Sequence, residues 1–112
     1  MAQAAVAVVL DYLRQALLAQ GVRIEKLVLF GSQAKGTARE DSDIDVAVVS
    51  PDFRDKDIFD RVDMTAKAGS DTIMKFIVPL DLVMLTPEEY ESRSSPIASF
   101  AREGEEIHEA RQ

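Results

Sequence analysis

Two short runs, Gly31-Ser32-Gln33-Ala34-Lys35-Gly36 and Asp41-Ser42-Asp43-Ile44-Asp45-Val46, decide how this sequence is read. The first follows Val-Arg-Ile-Glu-Lys-Leu-Val-Leu-Phe at 22–30, which begins with alternation and ends in an apolar run. That pattern predicts a strand whose last part is buried on both faces, broken by Gly31-Ser32. The second run opens a strand over 43–49, stopped by Ser50-Pro51. On a strand, side chains at i and i+2 share a face, so Asp43 and Asp45 point the same way, ~6.6 Å apart. Ile44 and Val46 then point the opposite way, into the core. Two like charges side by side beside a buried strand repel and are costly to desolvate. A divalent cation between them relieves that cost, and oxygen-only ligands favour Mg²⁺ or Mn²⁺ over zinc.

Working outward, a third strand is expected at Leu80 to Leu85, where Asp81 is a lone carboxylate among apolar residues. If this strand lies beside the second, three carboxylates converge. Two metal ions ~3.5–4 Å apart require such a set in nucleotidyl transfer. Asp81 would be placed to accept the proton of the attacking hydroxyl. Gly31-Ser32, at a strand end turning into a short helix, offers backbone N–H groups and a hydroxyl to an anion. Lys35 or Arg39 could add positive charge. The spacing Gly31 to Gly36 is that of a phosphate-binding P-loop, but Thr37-Ala38 follows where lysine and serine or threonine belong, so that reading is rejected.

The flanking sequence predicts helices. Val6, Val9, Leu10, Leu13, Leu17 and Leu18 recur at helical spacing over the first twenty residues, and Gly21 ends the run. Residues 55–68 read as a helix with Ile58, Phe59, Val62 and Ala66 on one face, and its continuation through Gly69 towards Phe76 is left open. Residues 35–42 read as a loop. Thr86-Pro87-Glu88-Glu89 has capping-box spacing, and Ser95-Pro96 opens a last helix with Ile97, Phe100, Ala101, Gly104 and Ile107 inward. The expectation is one small α/β or α+β domain over 1–112, a mixed sheet of three or more strands flanked by helices.

Composition narrows the chemistry. Thirteen basic and twenty acidic residues leave 112 residues with a charge of −7, which disfavours sequence-blind nucleic-acid binding. There is no cysteine, so neither disulfides nor thiolate metal sites are available, and His108 is the one histidine, expected on a solvated helix. The aspartates at 52, 55, 57, 60 and 63, and the glutamates at 103, 105, 106 and 109, read as surface. The seven-residue apolar start, Ala4 to Leu10, is too short for a secretory signal or a spanning helix, so a cytoplasmic protein is expected.

Gly-Ser-x-Ala-x-Gly, a short loop and Ser-Asp-Ile-Asp-Val together resemble the signature of the DNA polymerase β-like nucleotidyltransferase superfamily, most closely its minimal nucleotidyltransferases. The similarity runs from Leu27 to Leu85, and Pro96-Ile97 with Arg102-Glu103-Gly104 is similar to how such domains close. The resemblance implies that Gly31, Ser32 and Lys35 hold the triphosphate of ATP. It also implies that Asp43, Asp45 and Asp81 bind two Mg²⁺ ions. Many relatives carry arginine where this chain has Gln33 and Lys35; Gln33 removes a phosphate contact and leaves the metal ligands intact. Families of this kind pair with a HEPN-domain toxin, and the nucleotidyltransferase acts as the antitoxin by transferring AMP to a tyrosine of that toxin. The chain ends about thirty residues after the third strand, leaving little room for an acceptor pocket, so a partner is expected to supply the acceptor. Transfer to a small molecule, as in aminoglycoside nucleotidylation, and a binding-only antitoxin are the alternatives.

Overall fold

The computed structural model describes residues 3–36 and 43–109; the side chains of Gln3, Ala4, Ser32, Ala34 and 107–109 lie outside that description. Arg39, Asp41 and Ser42, and the loop expected around them, also lie outside the described residues. The elements run α1 (Gln3–Ala19), β1 (Lys26–Phe30), α2 (Ser32–Lys35), β2 (Ile44–Val49), a 3₁₀ turn (Pro51–Phe53), α3 (Ile58–Phe76), β3 (Leu80–Leu85), α4 (Pro87–Tyr90), α5 (Pro96–Arg102) and β4 (Glu105–Glu109). The four strands form a mixed sheet in the order β3-β2-β1-β4. β1 is antiparallel to both neighbours, and β2 and β3 are parallel, joined through α3. This is the small α+β architecture expected.

Strand alternation divides the core. Leu27, Leu29, Ile44, Val46 and Val48 face α1, where Val6, Val9, Leu10, Leu13 and Leu17 are buried against them. Val28, Phe30, Ala47, Val49 and Leu85 face the opposite way, towards Tyr90 of α4 and Ala98 and Ala101 of α5. Asp45 and Asp81 belong by alternation to this second face, so Ile44 and Val46 are core residues as expected. The capping box is present: the Thr86 hydroxyl accepts from Glu89 N–H, and the Glu89 carboxylate accepts from Thr86 N–H.

Three expectations need correction, and one left open is settled. β1 is shorter than 22–30, because Val22 to Ile24 runs as extended coil before pairing begins at Lys26. Asp43 stands one residue before β2, whose pairing with β3 starts at Ile44.

The open question concerns α3, which begins at Ile58, continues through Gly69 to Phe76 and turns its apolar stripe outward. Thr65, Ala68, Gly69 and Thr72 are buried, while Ile58, Phe59 and Val62 are exposed. Small residues let the helix approach the sheet closely; a Cβ on Gly69 would already touch the Leu82 side chain at 3.3 Å. The buried Thr65 and Thr72 hydroxyls donate to carbonyls one turn back, at Arg61 and Ala68, so neither hydroxyl is left unpaired. The helix's rotation is pinned at both ends. Arg61 donates to the Met84 carbonyl and to Glu89, and the Phe76 ring packs edge-on against Tyr12 of α1.

The third correction is at the C-terminal end. The last helix stops at Arg102, and residues 105–109 form β4 beside β1. A Cβ at Gly104 would overlap the Leu29 carbonyl, so only glycine lets the chain come this close to β1 and start pairing. Ile97 and Phe100 are partly exposed, and Ala98 and Ala101 form the inner face of α5. His108 and the glutamates at 105, 106 and 109 are therefore strand residues, and Glu106 accepts from Lys26 and from the Tyr90 hydroxyl.

Candidate active site

The register brings the three aspartates to one end of the sheet. Phe30, the last residue of β1, is paired with Asp45. Asp45 is in turn paired with Asp81 on β3. Neighbouring strands lie ~4.8 Å apart, and paired side chains share a face, so these two carboxylates are side-by-side neighbours. Asp43 precedes them at the mouth of β2; it and Asp81 are exposed, while Asp45 is half-buried.

Behind Asp45 stands the turn that follows β1. Gly31 adopts a left-handed φ of +71°, and a Cβ there would overlap an Asp45 carboxylate oxygen. Two independent demands therefore require glycine: the backbone conformation, and the close approach of a carboxylate. α2 begins at the next residue, and Lys35 N–H donates to the Gly31 carbonyl at 3.2 Å.

Like charges crowd this end. The Asp45 carboxyl is pushed above its ordinary value of 3.8, first by burial, then by the charges of Asp81 and Asp43. Among the described residues none of the three meets a basic side chain in an ion pair. Nor are any three carboxylate or imidazole groups among the described residues gathered tightly enough to hold a metal ion as they stand. The donor chemistry nonetheless fits a hard cation: every donor is a carboxylate oxygen, one is half-buried, and like charges raise the proton affinity of that one.

Lys35 lies at the end of α2, exposed, with its ammonium 5.3 Å from the centre of the Phe100 ring. Phe100 packs edge-on against Phe30, their centres 5.6 Å apart. Gly31, Lys35, Phe100, Glu103 and Gly104 line a small cleft on the same side of the turn. Sequence reading missed Phe100 and Glu103 here, because the helix pattern put Phe100 in the core and Glu103 on a solvated face. An aromatic two residues before the Arg102-Glu103-Gly104 ending would have been the signal. Ser32 begins α2, and its side chain is outside the description.

A family model for the nucleotidyltransferase domain matches residues 10–108. The chain belongs to the nucleotidyltransferase domain family. Among curated proteins no match is found. Among solved structures, the fold is similar to a protein of Sulfolobus solfataricus provisionally described as a nucleotidyltransferase. The TM-score is 0.63 at 22% identity, covering 78% of this chain and 72% of that one. It is also similar to a chain of a toxin–antitoxin crystallised with AMP-PNP. There the TM-score is 0.64 at 21% identity, covering 90% of this chain and 73% of the other. At such identities the likeness speaks for the fold. Among the described residues no helix is long and apolar enough to cross a membrane.

Proposed function

We propose that this nucleotidyltransferase is Mg²⁺-dependent and transfers AMP from ATP to a tyrosine hydroxyl of a partner HEPN-domain toxin, acting as its antitoxin. The observation that carries the transfer chemistry is the carboxylate end of the sheet, without a cation among the described residues, where Asp45 packs against the Gly31 turn. Family membership supports nucleotide transfer, and the likeness to a toxin–antitoxin chain supports the antitoxin role.

In this reading the Gly31 turn and Ser32 offer N–H and hydroxyl donors to the triphosphate, and Lys35 supplies a positive charge beside them. Asp43, Asp45 and Asp81 would hold Mg²⁺, which when bound neutralises phosphate charge and lowers the acceptor hydroxyl's pKa. The acceptor oxygen attacks the α-phosphorus in line. Its proton passes to the Asp81 carboxylate, an exposed member of the set, and the bond to the leaving pyrophosphate breaks. Half-burial of Asp45 keeps its charge in a low-dielectric setting, where attraction to a cation is strongest.

The test is transfer of label from α-labelled ATP to the co-purified partner in Mg²⁺, beside a variant carrying Asp43→Asn and Asp45→Asn. Label on the partner that vanishes in the variant is expected. Neutralisation of the partner that survives the double substitution would instead indicate an antitoxin that acts by binding alone.

A further inference from the structure

A broad exposed apolar surface lies along α3 and its C-cap, Ile77, away from the carboxylates. Phe59 is 77% exposed, Met74 72% and Ile77 82%, with Ile58, Val62 and Ile73 also uncovered. They include the residues whose helical spacing marks them for burial, so the sequence carries a second amphipathic face that this chain does not cover. Between that face and β3 runs an open groove of about 400 Å³, walled by Val62, Ile73 and Met74 and floored by Leu80, Leu82 and Met84. β3 is an edge strand, so nothing of the sheet lies beyond it.

Charge selects the occupant. Asp60 and Asp63 stand exposed on the same helix, and among the described residues neither meets a basic partner in an ion pair. The cations of α3 are engaged elsewhere: Arg61 with Glu89, Lys67 with Asp71, and Lys75 over the rings of Tyr12 and Phe76. A second copy of this chain would bring the same aspartates and another −7 against the face, which like-charge repulsion disfavours.

We infer that the α3–β3 groove docks an amphipathic helix of a different protein, one whose apolar stripe is flanked by lysine or arginine. The apolar anchors would fill the groove between Val62 and Met74, and the flanking cations would meet Asp60 and Asp63. The groove's Leu80 immediately precedes Asp81 but faces the other side of the sheet, so an occupant would lie behind the carboxylates and leave them open. The docking does not rest on the transferase reading.

The test titrates the full chain, without nucleotide, into a labelled synthetic amphipathic helix bearing lysine flanks and follows fluorescence anisotropy. Binding is expected that weakens about tenfold in Phe59→Ser/Met74→Ser, since a few buried anchors carry most of such an affinity. Asp60→Asn/Asp63→Asn should weaken binding less and flatten its dependence on salt. All four side chains are exposed, and circular dichroism melts check that each variant folds. The inference is overturned if the lysine-flanked helix does not bind. It is equally overturned if a glutamate-flanked version binds as well, or if the Phe59/Met74 variant binds unchanged. Sedimentation as a dimer dispersed by Phe59→Ser/Met74→Ser would also overturn it, in favour of a second copy. Because no nucleotide is present, failure of AMP transfer leaves this result standing.

Discussion

The two ends of the sheet carry acids in opposite circumstances. At the end where β2 and β3 finish, three carboxylates each have a cation. Asp52 takes the Arg23 guanidinium and its backbone N–H, Glu88 takes Arg54, and Glu89 takes Arg61. The Arg23 hydrogen bond holds the Asp52 carboxyl below its usual range. Burial works most strongly against Glu89, yet the Arg61 hydrogen bond and the Thr86 N–H together still hold it low. At the end where β2 and β3 begin, Asp43, Asp45 and Asp81 face one another without a cation among the described residues, and Asp45 is pushed up. Acids that hold a fold together are partnered within it. Acids left to repel each other beside a glycine turn are arranged for something that arrives from outside.

The sharpest way to break this contrast is Asp45→Asn. Transfer should fall by more than about 100-fold, since the proposed mechanism loses a charged oxygen that would face the metal. The melting temperature in the absence of divalent cations should not fall, because the substitution removes a repelled charge. Label transfer and a thermal melt on the same preparation decide it. A variant that unfolds would mean that Asp45 is structural like the acids of the other end.

Gly31→Ala should come next. A left-handed alanine costs about 1–2 kcal/mol, and the added methyl must also displace the Asp45 carboxylate. Gly36, with φ of +74° and nothing within 4 Å of its missing Cβ, is the control for backbone strain alone. Urea midpoints should show Gly31→Ala as the costlier change, and only it should impair transfer. Equal costs would mean that the close approach of Asp45 has no consequence.

At the paired end, Glu89→Ala removes both a helix cap and the Arg61 partner, and should cost about 1 kcal/mol with nucleotide transfer unchanged. Loss of transfer with stability intact would show that the two ends are not separate in function.

The contrast between the ends was only half legible. The alternation in Ile44-Asp45-Val46 and Leu80-Asp81-Leu82 placed both carboxylates on one face, because a period of two admits one solution once the apolar side is buried. The parallel pairing that makes them neighbours is a tertiary fact, as is the partnering of Asp52, Glu88 and Glu89, whose cations lie 28 to 34 residues away. β4 carried no strand pattern. Glu105 and Glu106 are polar at successive positions, and pairing rests on backbone bonds to β1 and on Gly104's bare Cα. Periodicity found the amphipathic stripe of α3 but not its direction. The same spacing serves a face turned to the core and one turned to a partner, and Arg61 and Phe76 set the rotation.

The smallest effect expected is also the one that separates the ends by sign. Asp45 has a folded pKa raised above 3.8, so its stabilising contribution is full below that value and is lost as pH rises through the raised pKa. Asp52 has a folded pKa lowered below 3.8, so its contribution is present above 3.8 and is lost as pH falls through the lowered pKa. Glu89 behaves as Asp52 does, about its own ordinary value of 4.5. With a chelator present, acidifying from neutral towards 3.8 should therefore relieve strain at the Asp45 end, while acidifying further should loosen the Asp52 end. Melts of Asp45→Asn against the parent should show their difference shrinking as pH falls to 3.8, and melts of Asp52→Asn should show theirs shrinking only below it. Mg²⁺ should raise the parent's melting temperature at neutral pH and leave that of Asp45→Asn nearly unmoved. Should both variants lose their difference over the same pH range, the two ends would hold their acids alike, and the carboxylates at 43, 45 and 81 would have no special claim to chemistry.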